Sequence, residues 1–296
     1  PRGGGVRMTA PEKVMLIVHP ERPVALELAT KCAGGLVARG VKVVAPEEAP
    51  AGLDVPRTDV AEAIDLVVVF GGDGSILRGS EVARAHDVPL LGINLGHVGF
   101  LAELDEEEAD GIVDHIVAGD YVIQERMTLD VRVVRDGRTL ATSWALNEAS
   151  VEKAARERMI QVVAEVDGRP LSEWGCDGVL FATPTGSTGY AWSAGGPVVW
   201  PTVEAMLLVP VSAHALFART MVVSSSTALA LEVLPRSPSA VLWCDGRRLI
   251  PLEPGDRVEV ERGSRPVRLA RLRDSLFVDR LVAKFQLPVQ GWSGRR

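Results

Sequence analysis

The sequence predicts two domains: an α/β domain with a doubly wound parallel sheet, then a mostly β, sandwich-like domain. Strand and helix signals alternate over the first ~113 residues, as in βα units built around a parallel sheet. After Gly119 strand-like segments dominate and turn signals separate them, which is typical of an all-β domain. Near the end, Asp274–Phe285 regains helical character, and we expect this helix to pack back on the first domain.

The first domain is predicted to cover residues 8–118. Val14–His19 is a short apolar run, typical of a strand covered on both faces. The acids of the last helix fall in its first turn, where the helix dipole favours them. The predicted strands are Val14–His19, Val41–Ala45, Asp65–Phe70 and Pro89–Ile93, and the predicted helices are Pro23–Arg39, Ser75–Ala85 and Glu106–Ala118.

The second domain is predicted to cover residues 119–273, and residues 274–296 form the predicted C-terminal helix and tail. Dipeptides such as Asp136-Gly137 and Asp167-Gly168 mark turns between the strands. The predicted strands are Val122–Val134, Thr139–Leu146, Gln161–Val166, Val179–Thr183, Ala228–Leu234, Val241–Cys244, Arg257–Val260 and Val267–Leu272.

Composition favours a folded globular protein over a nucleic-acid-binding or membrane protein. The 296 residues are 47% apolar and 24% charged, with a formal net charge of −7. Such a charge repels a polyanion like DNA, so any bound phosphate must be held locally by backbone N–H groups, arginines and a metal ion. No apolar run is long enough for a membrane span, and no signal peptide is expected. Residues 1–7, before Met8, are treated as a loose tail.

The cysteines and histidines indicate a reducing, cytoplasmic setting without structural zinc. Cys32, Cys176 and Cys244 are odd in number and far apart, so a disulfide framework is not expected. The five histidines form no zinc-binding pattern.

The first chemical motif is Gly71-Gly72-Asp73-Gly74-Ser75, directly after the strand Asp65–Phe70. An α/β sheet binds its ligand at this carboxyl end of a strand. Gly71, Gly72 and Gly74 let the backbone approach a phosphate and offer N–H groups to it, and Arg78 supplies a guanidinium one turn into the next helix. The alternative is a tight turn in which Asp73 caps that helix.

A second glycine-rich run follows the next strand: Gly92-Ile93-Asn94-Leu95-Gly96-His97-Val98-Gly99-Phe100-Leu101. Asn94 is the expected polar contact, and His97 is more typical of a loop histidine than of a base. Neither a Walker motif nor a G-x-G-x-x-G after the first strand occurs, which disfavours P-loop enzymes and ordinary dehydrogenases.

In the second domain, Asn147-Glu148 is predicted to end a strand. An amide beside a carboxylate can bind a base edge and a ribose diol, although the pair alone is also a common strand end. Lys153, Arg156 and Arg158 follow as a local cationic cluster, for which a solvated loop is the alternative.

The most specific signal is the segment Cys176–Pro197, in which a strand runs into a long loop of glycines and small hydroxyl residues. Such a loop can wrap a nucleotide, and Tyr190 can stack on a ring. A flexible linker is the alternative, but a linker does not bury aromatic residues beside it. Cys176 is expected to be a buried apolar residue, and Cys244-Asp245-Gly246 a hairpin turn.

Taken in order and spacing, these motifs resemble the NAD kinases from about Val14 to Trp292. The resemblance includes Asp177-Gly178 and Thr183-Pro184-Thr185-Gly186-Ser187-Thr188, with His214 and Cys244-Asp245-Gly246 as further landmarks. The glycine–aspartate loop is shared with lipid kinases and phosphofructokinases, whereas the Thr-Gly-Ser-Thr loop is highly specific. Ser75 stands where the family more often has threonine, and Gly189 where it has alanine.

The resemblance implies an enzyme that transfers a phosphoryl group from ATP or inorganic polyphosphate to the 2′-hydroxyl of the adenosine ribose of NAD. It implies Mg²⁺ as cofactor, with unassigned ligands, and a homodimer or homotetramer. Asp73 matches the proton acceptor. The implied NAD-binding residues are Asp73, Gly74, Arg78, Asn147, Glu148, Arg158, Asp177, Thr188, Gly189, Tyr190, Ala191, Trp192 and Ser193. The rivals are a lipid kinase with the same first loop and a non-catalytic NADP sensor.

Overall fold

The computed structural model describes residues 9–59, 62–95, 99–101, 111–272 and 277–289. These residues divide into two compact units. One unit contains the described residues of Pro1–Glu125 and Val267–Arg296, and the other contains Arg126–Pro266.

The first unit is built on a seven-stranded sheet with the strand order β3-β2-β1-β4-β5-β19-β6. The five strands β1 to β5 pair in parallel, and β19 pairs in parallel with β5. Its strands are β1 (Lys13–Val18), β2 (Lys42–Pro46), β3 (Arg57–Thr58), β4 (Leu66–Phe70), β5 (Leu90–Ile93), β6 (Val122–Arg126) and β19 (Val267–Arg271).

Helices cover both faces of this sheet, as a doubly wound fold requires. The helices of the unit are α1 (Pro23–Ala38), α2 (Asp73–His86), α3 (Ile112–Ala118) and α5 (Phe277–Phe285). Side chains of α1 and α3 share one buried cluster with Leu66, Val68 and Phe70 of β4. Helix α2 packs on the opposite face, where Gly79 lies against Val69. Successive side chains of a strand point to opposite faces, which explains why β4 is apolar throughout.

The second unit is a sandwich of two six-stranded sheets with the orders β11-β10-β15-β18-β7-β8 and β14-β13-β12-β9-β16-β17. The strands are β7 (Leu129–Arg135), β8 (Arg138–Ala145), β9 (Glu148–Lys153), β10 (Ile160–Val166), β11 (Arg169–Cys176), β12 (Gly178–Ala182), β13 (Ala205–Val211), β14 (Met221–Ser224), β15 (Leu229–Val233), β16 (Ala240–Cys244), β17 (Arg248–Leu252) and β18 (Arg257–Arg262). One buried cluster takes side chains from both sheets, so the core of this unit lies between them.

Both faces of β12 are buried, but in different clusters. Val179 and Phe181 belong to the sandwich core. Leu180 and Ala182 lie in a smaller cluster with Ala191 and Val199, under the segment that follows the strand. This segment contains a 3₁₀ turn at Gly186–Thr188 and the short helix α4 at Tyr190–Ser193, and is therefore more ordered than the long loop predicted from its composition.

The strand prediction was wrong at the start of the second domain. The predicted strand Val122–Val134 is two strands, β6 in the seven-stranded sheet and β7 in the sandwich. Thr128 interrupts the run because its hydroxyl donates to the Arg265 carbonyl at 2.6 Å, while its own carbonyl accepts the Gly263 N–H at 2.6 Å.

Near the end of the chain, the strand predicted at Val267–Leu272 is present as β19, but it was assigned to the wrong sheet. It pairs beside β5 in the α/β unit, with Leu269 opposite Leu90. The helix predicted at Asp274–Phe285 is described from Phe277, as α5. It packs in the α/β unit, where Phe277 and Phe285 both contact the ring of Phe100. The N-terminal part of the helix predicted at Glu106–Ala118 lies outside the described residues.

Candidate active site

The loop after β4 places the Asp73 carboxylate at the carboxyl end of the parallel sheet. Asp73 is the first residue of α2, whose N-cap is Gly72, and no side chain caps this helix end. The Asp73 carboxylate instead accepts the backbone N–H groups of Phe100 and Leu101, at 3.3 and 3.2 Å. The alternative in which Asp73 caps its own helix is therefore wrong.

Three glycines shape the surroundings of the Asp73 carboxylate. Gly72 and Gly74 leave open space beside it, and Gly99 allows the next segment of the chain to approach it closely. A Cβ atom at Gly72 or Gly74 would meet no atom within 4 Å, whereas one at Gly99 would lie 2.6 Å from the Asp73 Oδ1. Space beside Gly72 and Gly74 lets a phosphate reach the start of α2, where the N–H groups of Asp73 and Gly74 precede the first helical bond, from the Ser75 N–H to the Gly72 carbonyl at 2.9 Å. Contact at Gly99 fixes Asp73 against the neighbouring segment.

Two guanidinium groups are held at the same edge of the sheet. Arg78 is half-buried and donates to the Val18 carbonyl at the end of β1, at 2.6 Å. Arg22, just before α1, donates to the Leu95 carbonyl beyond β5. Strand β4 lies between β1 and β5, so positive charge is held on both sides of the strand that leads into the Asp73 loop. The sequence reasoning found Arg78 and missed Arg22.

Asn94, the predicted polar contact of the second glycine-rich run, is buried at the end of β5. His97 and Gly96 lie outside the described residues.

The prediction that Asn147-Glu148 ends a strand was wrong. In the sandwich unit β8 ends at Ala145, and the pair lies where β9 begins, held there by a third residue. The buried Asp245 carboxylate accepts the Leu146 N–H at 2.9 Å and the Asn147 N–H at 2.7 Å. Arg248 donates to the same carboxylate at 2.9 Å and lies 4.5 Å over the Trp144 ring. The hairpin predicted at Cys244–Gly246 is confirmed by the pairing of Cys244 with Arg248, but its role in holding this strand start was missed.

Glu148 is a buried carboxyl group with one unsatisfied oxygen. Its side chain is 9% exposed, and burial, followed by the charge of Asp245, raises its pKa from 4.5 to about 8, against the lowering effect of a Tyr190 N–H bond. The Oε2 atom is buried without a hydrogen-bond partner in the described part of the protein. A buried polar atom of this kind is costly unless it binds something, and a protonated carboxyl can donate to a ligand.

The segment Thr183–Ser193 packs directly against this strand start. The Thr183 hydroxyl donates to the Leu146 carbonyl at 2.6 Å, and a Cβ atom at Gly186 would lie 2.0 Å from the Asn147 carbonyl oxygen. Only glycine permits that approach. Gly189 lies against Glu148, since a Cβ atom there would be 3.3 Å from Oε2. The structure thus brings Asn147, Glu148 and the predicted loop together.

Two aromatic rings of this segment face solvent, contrary to the argument that the loop buries them. Tyr190 is 39% exposed and Trp192 43% exposed, while Phe181 is buried. Burial, followed by the charges of Glu152, Glu148 and Asp177, raises the pKa of Tyr190. Exposed rings on a fixed turn are available for stacking on a ligand.

The three cations of the predicted cluster have different surroundings. Lys153 forms an ion pair with Asp177, so Asp177 is neutralised locally. Arg156 and Arg158 are exposed in the loop after β9. The three cysteines are buried and free. Burial raises the pKa of Cys176 to about 12, in accord with the prediction that it is an apolar core residue.

Neither a metal cluster nor a membrane helix is found in the described ranges. No group of three or more His, Cys, Asp or Glu side chains is placed to hold a metal ion. No helix in the same ranges has the length and apolar character needed to span a bilayer.

The structure thus has a glycine–aspartate loop at the carboxyl end of a parallel sheet and a polar strand start, at Glu148, in a β sandwich. Residues 14–121 match the ATP-NAD kinase N-terminal domain family, and residues 146–272 match the ATP-NAD kinase C-terminal domain family. The chain therefore belongs to the NAD kinase family.

Curated relatives agree over nearly the whole length. The chain is 53% identical to NAD kinase 2 of Streptomyces coelicolor, over 95% of this chain and 96% of that protein. It is 52% identical to the NAD kinase of Thermobifida fusca, over 99% and 95% of the two chains, and 46% identical to that of Mycobacterium tuberculosis, over 97% and 100%.

Solved structures share the fold. Yeast NADH kinase complexed with NADH superimposes with a TM-score of 0.83 at 22% identity, covering 95% of this chain and 89% of that one. An NAD kinase from Archaeoglobus fulgidus in complex with ATP gives a TM-score of 0.69 at 24% identity, covering 93% and 98%.

Proposed function

We propose that this chain transfers the terminal phosphoryl group of ATP, or of inorganic polyphosphate, to the 2′-hydroxyl of the adenosine ribose of NAD, giving NADP. The observation that carries this proposal is the Asp73 carboxylate, held by two backbone N–H groups beside the open glycines of the α2 N-terminus. In this arrangement a proton acceptor lies in the same loop as a helix end that can bind phosphate.

In the proposed reaction the ribose 2′-oxygen attacks the terminal phosphorus of the donor. The bond from that phosphorus to the leaving oxygen breaks, and the hydroxyl proton passes to the Asp73 carboxylate. Phosphoryl transfer depends mainly on positioning and on neutralising charge. Asp73 is suited to this role because its position is fixed by two hydrogen bonds, while the glycines beside it leave room for the reacting groups.

The acceptor is proposed to bind at the start of β9. Glu148 offers a buried oxygen without a partner in the described part of the chain, and Asn147 lies beside it with its backbone fixed by Asp245. Tyr190 and Trp192 supply exposed rings for stacking, and Arg158 an exposed cation. The remaining proposed contacts are Gly74, Arg78, Asp177, Thr188, Gly189, Ala191 and Ser193.

The donor phosphates are proposed to lie on Gly72 and Gly74, near Arg22 and Arg78. The prediction that Gly71 also offers its N–H group was wrong, because that N–H donates to the Ile93 carbonyl at 3.0 Å. The described residues offer no ready-made protein cage for a cation. This fits Mg²⁺, which binds through few carboxylates and chiefly through substrate phosphates. When bound, the ion would neutralise donor charge.

Assembly and location are also proposals. We propose a homodimer or homotetramer in which the sandwich unit contributes to a neighbouring site. Several large apolar side chains of that unit are exposed, including Leu216, Phe217 and Val222, and surfaces of this kind favour association. A cytoplasmic location is supported by the three free, buried cysteines.

Incubation of the protein with Mg-ATP and NAD, followed by enzymatic cycling specific for NADP, tests the proposal. Time-dependent NADP formation that requires both substrates is expected. A lipid kinase would instead phosphorylate a diacylglycerol and leave NAD unchanged, and a sensor would bind NADP without forming it. Either of those results would overturn the proposal.

A further inference from the structure

The segment Gly99–Leu101 is held from two directions. On one side, the Asp73 carboxylate accepts both the Phe100 and the Leu101 N–H groups. On the other side, two arginines donate to the carbonyl groups of the same two residues: Arg280 to Phe100 at 3.0 Å and Arg271 to Leu101 at 3.2 Å. The backbone that holds Asp73 is thus itself held at both of its peptide carbonyls.

Helix α5 also packs against the side chain of Phe100. The ring centroids of Phe277 and Phe285 lie 5.7 and 6.0 Å from that of Phe100, with tilted planes, a spacing in which aromatic pairs attract each other. Phe100 is itself buried. Three side chains of one helix therefore act on a single residue, two through rings and one, Arg280, through a hydrogen bond.

We propose that α5 is a positioning element for the reaction: through Arg280 and its two phenylalanines it fixes Phe100, and through the N–H groups of Phe100 and Leu101 it fixes the Asp73 carboxylate. Arg271 supports the same segment from β19. This inference rests on the proposed role of Asp73. It assigns a catalytic consequence to a helix that acts on Asp73 through the backbone of Phe100 and Leu101.

The physical reason is the steep dependence of catalysis on geometry. A proton acceptor must lie within hydrogen-bond reach of the group that it serves, and a misplacement of about 1 Å can cost on the order of 100-fold in rate. The approach at Gly99, where a Cβ atom would lie 2.6 Å from Asp73 Oδ1, leaves little slack between the segment and the carboxylate. A shift of Phe100 is therefore passed on to Asp73.

The test compares Arg280→Ala with Lys284→Ala. Both variants remove one cation from α5, and Lys284 is exposed with no hydrogen bond or ion pair to other described residues. We expect Arg280→Ala to lower kcat about 10-fold with KM for NAD and for ATP within about twofold of the parent, and Lys284→Ala to leave kcat unchanged. Arg280→Lys, which can still donate to the Phe100 carbonyl, should recover most of the activity even if the alanine variant folds poorly.

A double-mutant cycle separates positioning from mere stabilisation. If Arg280 acts through Asp73, the Arg280→Ala change should no longer lower kcat when the Asp73→Asn change is already present, because coupled residues give non-additive effects. Equal losses in both backgrounds, or equal kcat for Arg280→Ala and Lys284→Ala, would overturn the inference. Failure of the proposed function would look different, since the parent protein would then form no NADP at all.

Discussion

Replacing Glu148 with glutamine should raise the stability of the protein relative to the parent as the pH rises. Folding raises the pKa of this carboxyl from 4.5 to about 8, chiefly through burial. Between these values the native protein keeps the proton and the unfolded chain releases it. Because the unfolded state then binds fewer protons, the free energy of unfolding falls as the pH rises. The glutamine side chain is neutral in both states, so the Glu148→Gln variant lacks this loss.

The size of the effect follows from the interval between the two pKa values. Each pKa unit corresponds to about 1.4 kcal/mol. From pH 5 to pH 8 the stability of the Glu148→Gln variant relative to the parent should therefore rise by at most about 3.5 kcal/mol. The direction of this change follows from the burial of Glu148, which is 9% exposed, and from the coulombic effect of Asp245 on its pKa.

Urea unfolding at pH 5, 6, 7 and 8 measures the difference directly. Glu152→Gln is the matched control, since it removes a carboxyl from the same strand at a half-buried position whose oxygen accepts the Ser150 hydroxyl. Its stability should follow the parent far more closely over this range. Parallel stability curves for Glu148→Gln and the parent would refute the conclusion that this carboxyl is buried in its protonated form.

Three further predictions concern the metal, the loop and the assembly. Excess EDTA should abolish turnover, because the donor charge needs a cation, and full activity in EDTA would contradict this. Gly186→Ala should lower the melting temperature and weaken NAD binding in calorimetry, because its Cβ would lie 2.0 Å from the Asn147 carbonyl, whereas Gly189→Ala, with 3.3 Å to Glu148, should be nearly neutral. Light scattering at assay concentration should give at least a dimer, and an active strict monomer would exclude the shared site.

Local pattern was sufficient to predict much of the α/β unit. Strand β4 is apolar throughout because both of its faces are covered, and the glycines after it mark the loop that carries Asp73. Helix α1 was predicted at Pro23–Arg39 and is observed at Pro23–Ala38, since proline suits a helix start and Gly40 suits its end.

Long-range pairing could not be predicted from local pattern. The sequence of an apolar strand such as β19 does not indicate which sheet the strand joins. Only its pairing with β5 places it in the first unit. Partners were missed for the same reason. The N–H groups that hold Asp73 belong to Phe100 and Leu101, and the carboxylate that holds Asn147 belongs to Asp245, 98 residues away. Asp245 looked like an ordinary hairpin residue because its hydrogen bonds arise only from the fold.

The steady-state kcat of Asp73→Asn, measured beside Asp65→Asn, tests the central claim most directly. Both aspartates hold two backbone N–H groups; Asp65 binds those of Glu12 and Lys13, each at 2.8 Å. Asparagine can accept only through its one carbonyl oxygen. The bonds to Asp73 use both carboxylate oxygens, so Asp73→Asn should lose one of them and about 1–3 kcal/mol of stability. Both bonds to Asp65 reach Oδ2, so Asp65→Asn can keep them. If Asp73 accepts the proton, only its variant should lose roughly 10²–10⁴ in kcat, with NAD affinity retained. A folded Asp73→Asn protein with the kcat of Asp65→Asn would contradict the account.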